Sequence, residues 1–364
     1  MNVKVRKTIY ICMYFSRFTM SPKAKKIVIS IISALALAFA AFACGVFFAA
    51  KSPCVKVGGE LLVPSRSTYS ALHDSLFSDS RIRFRHFFDF YAHRIGLDMD
   101  EAVRPGRYIL HDTMNCIQVA RMLRLGQQTP KNVVINNART PQQLAARLAS
   151  QIEADSSQIA SVLLSDSVAQ ALGFASPLEM FAVFIPDTYQ MYWNTEPLQI
   201  VNRMKGEWDR FWTPRRSQLL AQIPMTRMQA VTLASIVYEE TRKTDEMPVV
   251  AGVYINRLHK GMLLQADPTV KYATGDFKLR RILHKHLKID SPYNTYKYKG
   301  LPPTPICMPS KAAIDAVLNY SKHKYLYFCA REDFSGYHNF AETYAQHRRN
   351  ARRYSAELNR RGIR

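Results

Sequence analysis

Acidic residues are scarce in this chain of 364: 28 Asp and Glu stand against 50 Lys and Arg, a formal charge of +22. That deficit points to polyanionic partners such as nucleic acid, anionic lipid headgroups or an acidic polymer. No CxxC pair and no Cys/His metal spacing occur, so no metal and no zinc-based chemistry is expected. Low-complexity tracts and internal repeats are also missing, and 48% hydrophobic with 11% aromatic residues is the composition of a globular chain with a real core. Of the six cysteines, Cys12 and Cys44 fall before or within a long apolar run. Cys54, Cys116, Cys307 and Cys329 follow it, enough for one or two disulfides in an oxidising compartment, with the pairing open.

The apolar run itself covers residues 27–50, with Ser30 and Ser33 as its only hydroxyls. It is long enough to cross a hydrocarbon core of roughly 30 Å and reads as a transmembrane helix. Ahead of it, residues 1–26 carry seven basic side chains (Lys4, Arg6, Lys7, Arg17, Lys23, Lys25, Lys26) and no acid. The excess of Lys and Arg keeps the N-terminus cytoplasmic and puts everything after residue 50 outside. A cleaved signal peptide competes, but the run is longer than a usual h-region, so an uncleaved single-pass anchor in the plasma (inner) membrane is expected. Cys44 follows Ala43 in a faint lipoprotein-like context, and Met20 is an alternative start. This topology weakens nucleic acid as the polyanion and favours an extracytoplasmic acidic polymer.

The fold class expected is α+β, in two exported parts. Residues 51–130 read as a small α/β subdomain: short strands around 55–63, one amphipathic stretch over 70–90, and a Pro105-Gly106 turn entering a strand to Leu110. A helix over 113–125 then stops at Gly126. Residues 131–364 form the second part, opening on a strand at 131–135 and a helix with Thr140 as N-cap, Pro141 at N1 and Gln143 at N3. Pro186 breaks the following helical region, exposing Asp187 and Thr188 in a loop or strand end. A helix over 247–260 stops at Gly261, residues 325–330 read as a buried strand, and residues 345–364 form a helix with seven arginines whose face is solvated or meets an anionic surface.

The residue that stands out is Glu240. Ala230, Leu233, Ile236 and Val237 form an apolar stripe at helical spacing, and position 240 continues it, whereas Glu239 points well away. A carboxylate buried on such a face costs several kcal/mol unless paired or protonated, and its pKa rises towards that of a general acid. A glutamate held by an arginine or backbone amide for structural reasons is the competing explanation. Further on, Gln265, Asp267, Tyr293, Asn294 and Tyr296 place hydrogen-bonding groups among aromatics in irregular backbone, the composition of a sugar-binding cleft between helices and loops.

Five separated motifs carry a resemblance: Leu233-Ala-Ser-Ile-Val with Glu240 and Thr241; Asn256-Arg-Leu through Gln265, Asp267, Pro268, Thr269 and Val270; Pro292-Tyr-Asn-Thr-Tyr296; Gly300-Leu-Pro-Pro303; and Tyr325-Leu-Tyr-Phe328 with His338 and Phe340. In this order they resemble the membrane-anchored endolytic murein transglycosylases of the YceG-like family, across about residues 131–355. The resemblance makes residues 131–364 a YceG-like catalytic domain, and the region around Pro105 to Tyr108 looks like that family's LysM-like subdomain. The family's essential glutamate falls on Glu240. Two departures are visible: Phe181 and Ala182 occupy the place of a usual Glu-Gly pair, and Tyr238 stands where many relatives have Glu.

What the resemblance implies is a peptidoglycan lytic transglycosylase that needs no cofactor or metal. It would cut nascent glycan strands between N-acetylmuramic acid and N-acetylglucosamine, leave 1,6-anhydro ends and so limit strand length, beside the synthases of the elongation machinery. Glu240 would serve as both acid and base, with Gln265, Asp267, Tyr293, Asn294 and Tyr296 holding the sugar; Asp187 and Thr188 would do the same or cap a helix. Two other readings remain: a lysozyme-type hydrolase using Asp187 or Asp267 as second carboxylate, and a non-catalytic glycan-binding scaffold. Nucleic-acid binding would require a cytoplasmic ectodomain.

Overall fold

The computed structural model describes residues 21–362 apart from Asp79, so the basic residues up to Arg17, Cys12 and Met20 lie outside the described residues. The chain divides into two compact units, residues 1–129 and 130–364.

In the first unit, α1 (Pro22–Lys51) starts at Ser21, whose side chain accepts from the Ala24 amide, and is long and apolar enough to cross a membrane. Strands β1 (Gly59–Val63) and β2 (Gly106–Leu110) pair antiparallel with Leu61 opposite Tyr108. Helices α2 (Tyr69–Phe77) and α3 (Arg85–Arg94) lie between them in sequence, and α4 (Cys116–Leu125) follows. Alternation along the strands buries Leu61, Val63, Tyr108 and Leu110 against Leu72, Leu76, Phe88, Val119 and Leu123. The stretch expected as one amphipathic segment is two helices. Phe84, at φ 61° with no side-chain cap, turns the chain into α3. The strand expected from residue 55 begins at Gly59, leaving Val55 in an isolated bridge with Ile82. Gly126 ends α4 at φ 64°, where only glycine enters the left-handed region without cost.

The second unit opens with β3 (Lys131–Ile135), paired antiparallel with β4 (Asp187–Met191) in a register that sets Val133 opposite Tyr189. Four short helices separate them: α5 (Pro141–Ala149), α6 (Ser156–Leu163), α7 (Asp166–Ala171) and α8 (Pro177–Phe181). Helix α9 (Pro197–Phe211), α10 (Pro214–Ala221) and the central α11 (Arg227–Glu240) follow. Around α11 pack α12 (Met247–His259), α13 (Asp267–Thr274) and α14 (Lys311–Leu318). Gly252 lets α12 approach the next segment closely, since a Cβ there would lie 2.4 Å from the Ser321 carbonyl oxygen. A hairpin of β5 (Tyr327–Ala330) and β6 (His338–Ala341) precedes α15 (Tyr344–Arg360), none of whose residues is fully buried. The strand at 325–330 was expected to be buried; its residues are half-buried, because a two-stranded hairpin covers only one face.

Helix α11 begins with a capping box between Thr226 and Gln229, two of the orphan amides thereby being satisfied. Every residue from Ala230 to Val237 is buried, so this is an enclosed helix rather than an amphipathic one. Its polar core positions are bonded: the Ser235 hydroxyl donates to the Thr232 carbonyl at 2.7 Å and accepts from the Ile306 amide at 3.0 Å. Extended backbone at Thr241 terminates it, leaving Glu240 as the last helical residue.

Candidate active site

Both glutamates at the end of α11 are drawn into the protein, and what distinguishes them is the company each keeps. Glu239 does not point away into solvent as the stripe suggests: its side chain is 10% exposed. Its Oε2 accepts from Arg139 Nη2 at 2.6 Å, and Arg242 lies 3.5 Å from Oε1. The enclosed helix has no solvent face for Glu239 to occupy, so two guanidinium groups neutralise it instead.

Among the described residues Glu240 has no such partner. It accepts a hydrogen bond from the Tyr254 hydroxyl at 2.8 Å and opens on a pocket of about 250 Å³ lined by Tyr254, Arg257, Leu264, Gln265, Asp267, Tyr296, Phe328 and His347. Burial is the main force on its acidity and raises the pKa from 4.5 to about 7, with the charges of Asp267 and Glu239 adding to the rise. The Tyr254 bond and the Arg257 charge oppose it. The last turn of a helix, where carbonyl oxygens point outward, disfavours an anion as well. The result is a carboxyl group part protonated near neutrality, in a cavity a ligand can enter.

The walls are built by four helices and a hairpin. Tyr254 on α12 is 2% exposed, its own acidity suppressed by burial and by Glu240, so it acts as a fixed donor. Arg257, one turn later, is 8% exposed. Its Nε donates to the Leu326 carbonyl at 2.6 Å and its Nη1 to the Leu264 carbonyl at 2.8 Å, with the group lying over the Tyr327 ring. Those bonds spend the guanidinium on neutral oxygens, so its charge remains available to the pocket. Gln265 sits at φ 50°, a strained conformation for a residue with a Cβ, with its amide held by the Thr295 carbonyl at 3.1 Å. Asp267 opens α13 and accepts from the Tyr296 hydroxyl at 2.7 Å. A third carboxylate drawn into the protein, Glu246, braces the frame: it accepts from the Thr241 hydroxyl at 3.0 Å and from the backbone amide of His338 at 2.7 Å, tying the turn after α11 to β6.

Of the residues singled out in the sequence, Glu240, Gln265, Asp267 and Tyr296 therefore line one pocket. Tyr293, Asn294, Asp187 and Thr188 are not among its lining residues. Asn294 is fully buried, and its amide group donates to the carbonyls of Leu287 and Ile289 at 2.9 and 2.8 Å while its oxygen accepts from the Tyr296 amide. It shapes the loop that presents Tyr296. Tyr293 bonds Thr304 and packs on Tyr272. Asp187 and Thr188 begin β4 on the surface, where Asp187 pairs with Lys311 and that ammonium holds its carboxyl below the usual range. Phe181 and Ala182 are core residues, and Tyr238 carries Arg242 over its ring.

Tyr254, Arg257, Phe328 and His347 were not anticipated as site residues. Arg257 and Phe328 lie inside sequence motifs, but nothing in a linear pattern says that α12, β5 and α15 converge on the end of α11. In the first unit a larger apolar hollow of about 540 Å³, between Phe42, Val46 and Ala49 and the side chains of Phe87 and Phe90, contains no carboxylate.

Comparison with known proteins places the chain in a family. The YceG-like family profile matches residues 61–353, well N-terminal of the spaced motifs as well as through them. A relative from Bacillus subtilis named endolytic murein transglycosylase is 28% identical over 314 residues, 82% of this chain and 85% of the relative. One of the same name from Streptococcus pneumoniae is 34% identical over 149 residues, 40% of this chain and 27% of the relative. A crystal structure of a yceG-like protein from Listeria monocytogenes superposes with a TM-score of 0.53 at 27% identity, covering 81% of this chain and 99% of that one. With the family match spanning most of its length, the chain belongs to the YceG-like family.

Proposed function

We propose that the protein is a membrane-anchored endolytic lytic transglycosylase of peptidoglycan, with Glu240 as its acid and base. The observation that carries this reading is a carboxyl group with a pKa near 7 and, among the described residues, no cationic hydrogen-bond partner, facing a pocket lined with polar and aromatic side chains. The names of the Bacillus and Streptococcus relatives support the substrate class.

Protonated Glu240 gives its proton to the oxygen joining N-acetylmuramic acid to N-acetylglucosamine, and the C1–O bond breaks to leave a free 4-hydroxyl. Positive charge develops at C1 and the ring oxygen. Glu240, now an anion steadied by the Tyr254 hydroxyl and the Arg257 charge, takes the proton of the muramyl C6 hydroxyl as that oxygen closes on C1. The proton removed equals the proton given, no water is consumed, and a 1,6-anhydro end results. Gln265, Asp267 and Tyr296 are positioned to hold sugar hydroxyls and the N-acetyl group; Asn294 and Tyr293 act through the loop they fix. Helix α1 anchors the protein, with its N-terminus in the cytoplasm and the pocket outside. There it would limit the length of nascent strands beside the peptidoglycan synthases. The strand–helix–helix–strand order of residues 59–110 supports the LysM-like reading of the first unit.

Asp267 gives the hydrolase reading its one foothold, since it shares the pocket with Glu240. Asp267→Asn tests which is right. For a transglycosylase, turnover of purified sacculi by the full-length, detergent-solubilised protein falls by no more than roughly tenfold, the scale of one lost sugar contact. The alkaline limb also moves to lower pH, because the Asp267 charge no longer raises the Glu240 pKa. If Asp267 were the nucleophile or base, the loss would approach roughly a thousandfold or more.

A further inference from the structure

Among the described residues, the side chain of His347 forms no hydrogen bond, and its Nδ1 is buried without a partner. The ring is nonetheless held in one orientation, stacked on Tyr327 at 5.5 Å and 21° and packed near Tyr344 at 6.2 Å. It also lines the pocket of Glu240. A phenyl ring would stack there equally well, so the fold makes no use of the imidazole nitrogens.

Their protonation follows from the surroundings. An N–H buried with no acceptor is rarer and costlier than a bare nitrogen with no donor, so the proton is kept off Nδ1 and placed on Nε2. A second proton is opposed by burial and by the charge of Arg257, which lower the pKa from 6.5 and keep the ring neutral. Nε2–H is thus an unspent hydrogen-bond donor on a residue that lines the pocket.

We propose that His347 is a substrate-binding residue that donates from Nε2–H to an oxygen of the sugar seated against Glu240. The inference rests on the transglycosylase reading above. It makes the arginine-rich terminal helix α15 part of the active site rather than a solvated appendage, with His347 turned inward from a helix whose neighbouring residues Gln346 and Arg348 are exposed.

The test uses the full-length protein in detergent, purified sacculi, and two variants. His347→Phe keeps the stacking and removes the donor; His347→Gln places an amide N–H near the position of Nε2. We expect His347→Phe to lose roughly tenfold in kcat/KM, mainly through KM, with an unchanged unfolding midpoint, and His347→Gln to recover most of that loss. The proposal is overturned if His347→Phe stays within about twofold of wild type, or if the Gln variant is no better than the Phe variant. Release of anhydro products by the wild type in the same assay separates the two readings. If it releases none, the transglycosylase assignment fails and this one with it; if it does, failure of the variants to differ removes His347 alone.

Discussion

Glu240→Gln is expected to lower turnover of sacculi by about a hundredfold to ten-thousandfold, the range for loss of a general acid–base group, while leaving glycan binding and fold in place. The amide fills the same volume and still accepts from Tyr254, so what is removed is the transferable proton. The wild type should lose activity as pH rises through about 7, where the acid deprotonates. The residual activity of the variant should lack that limb. The substitution should raise stability even as it lowers activity. With a folded pKa of about 7 against 4.5 for the free group, the native state binds more protons than the unfolded chain between those values, so this group's contribution makes stability fall as pH rises from 4.5 to 7. The Gln variant has no such loss. At pH 8 it should be the more stable protein, by up to about 3 kcal/mol, with the difference vanishing near pH 4. Thermal unfolding at the two pH values checks this, and a variant less stable than wild type at pH 8 would contradict a strained acid at this position.

Arg139→Met is expected to destabilise the second unit by about 2–3 kcal/mol at neutral pH, lowering its unfolding midpoint by roughly 5–10 °C. The substitution strands Glu239, whose side chain is 10% exposed and which would keep only the more distant Arg242. The figure sits below the usual cost of breaking a buried pair because Arg139 is itself 27% exposed and Arg242 remains. Adding Glu239→Gln to Arg139→Met should restore part of the loss, since no charge is then left unpaired. Calorimetry of the single and double variants measures it. Equal midpoints for Arg139→Met and wild type would show that Glu239 is not held by this contact, and with it would go the distinction between the two neighbouring acids.

That distinction marks the limit of what the sequence discloses. Helical period located α11 though not its end, and the Gln265, Asp267 and Tyr296 positions were readable because they sit in short, dense motifs with local turn chemistry. The stripe through Ala230 and Ile236 pointed at Glu240 for an incomplete reason: α11 is buried on every side, so a helical wheel cannot separate a paired from an unpaired acid. The separating contact comes from Arg139, one hundred residues away in sequence. Distance of the same kind hid Tyr254, Arg257, Phe328 and His347, contributed by α12, β5 and α15. Conversely, Tyr293 and Asn294 share a motif with Tyr296 yet spend their polar atoms on the loop itself. Phe84 split an amphipathic stretch at a left-handed residue that no periodicity announces.

The central claim is that the glycosidic bond is broken without water, by one glutamate acting twice. Digestion of purified sacculi by the full-length protein in heavy-oxygen water tests it directly, with mass spectrometry of the newly formed muramyl ends. The account predicts 1,6-anhydro ends lighter than reducing ends by one water, carrying no heavy oxygen, and formed at least about a hundredfold more slowly when Glu240→Gln replaces the wild type. Reducing ends labelled with heavy oxygen would contradict it and make the protein a hydrolase.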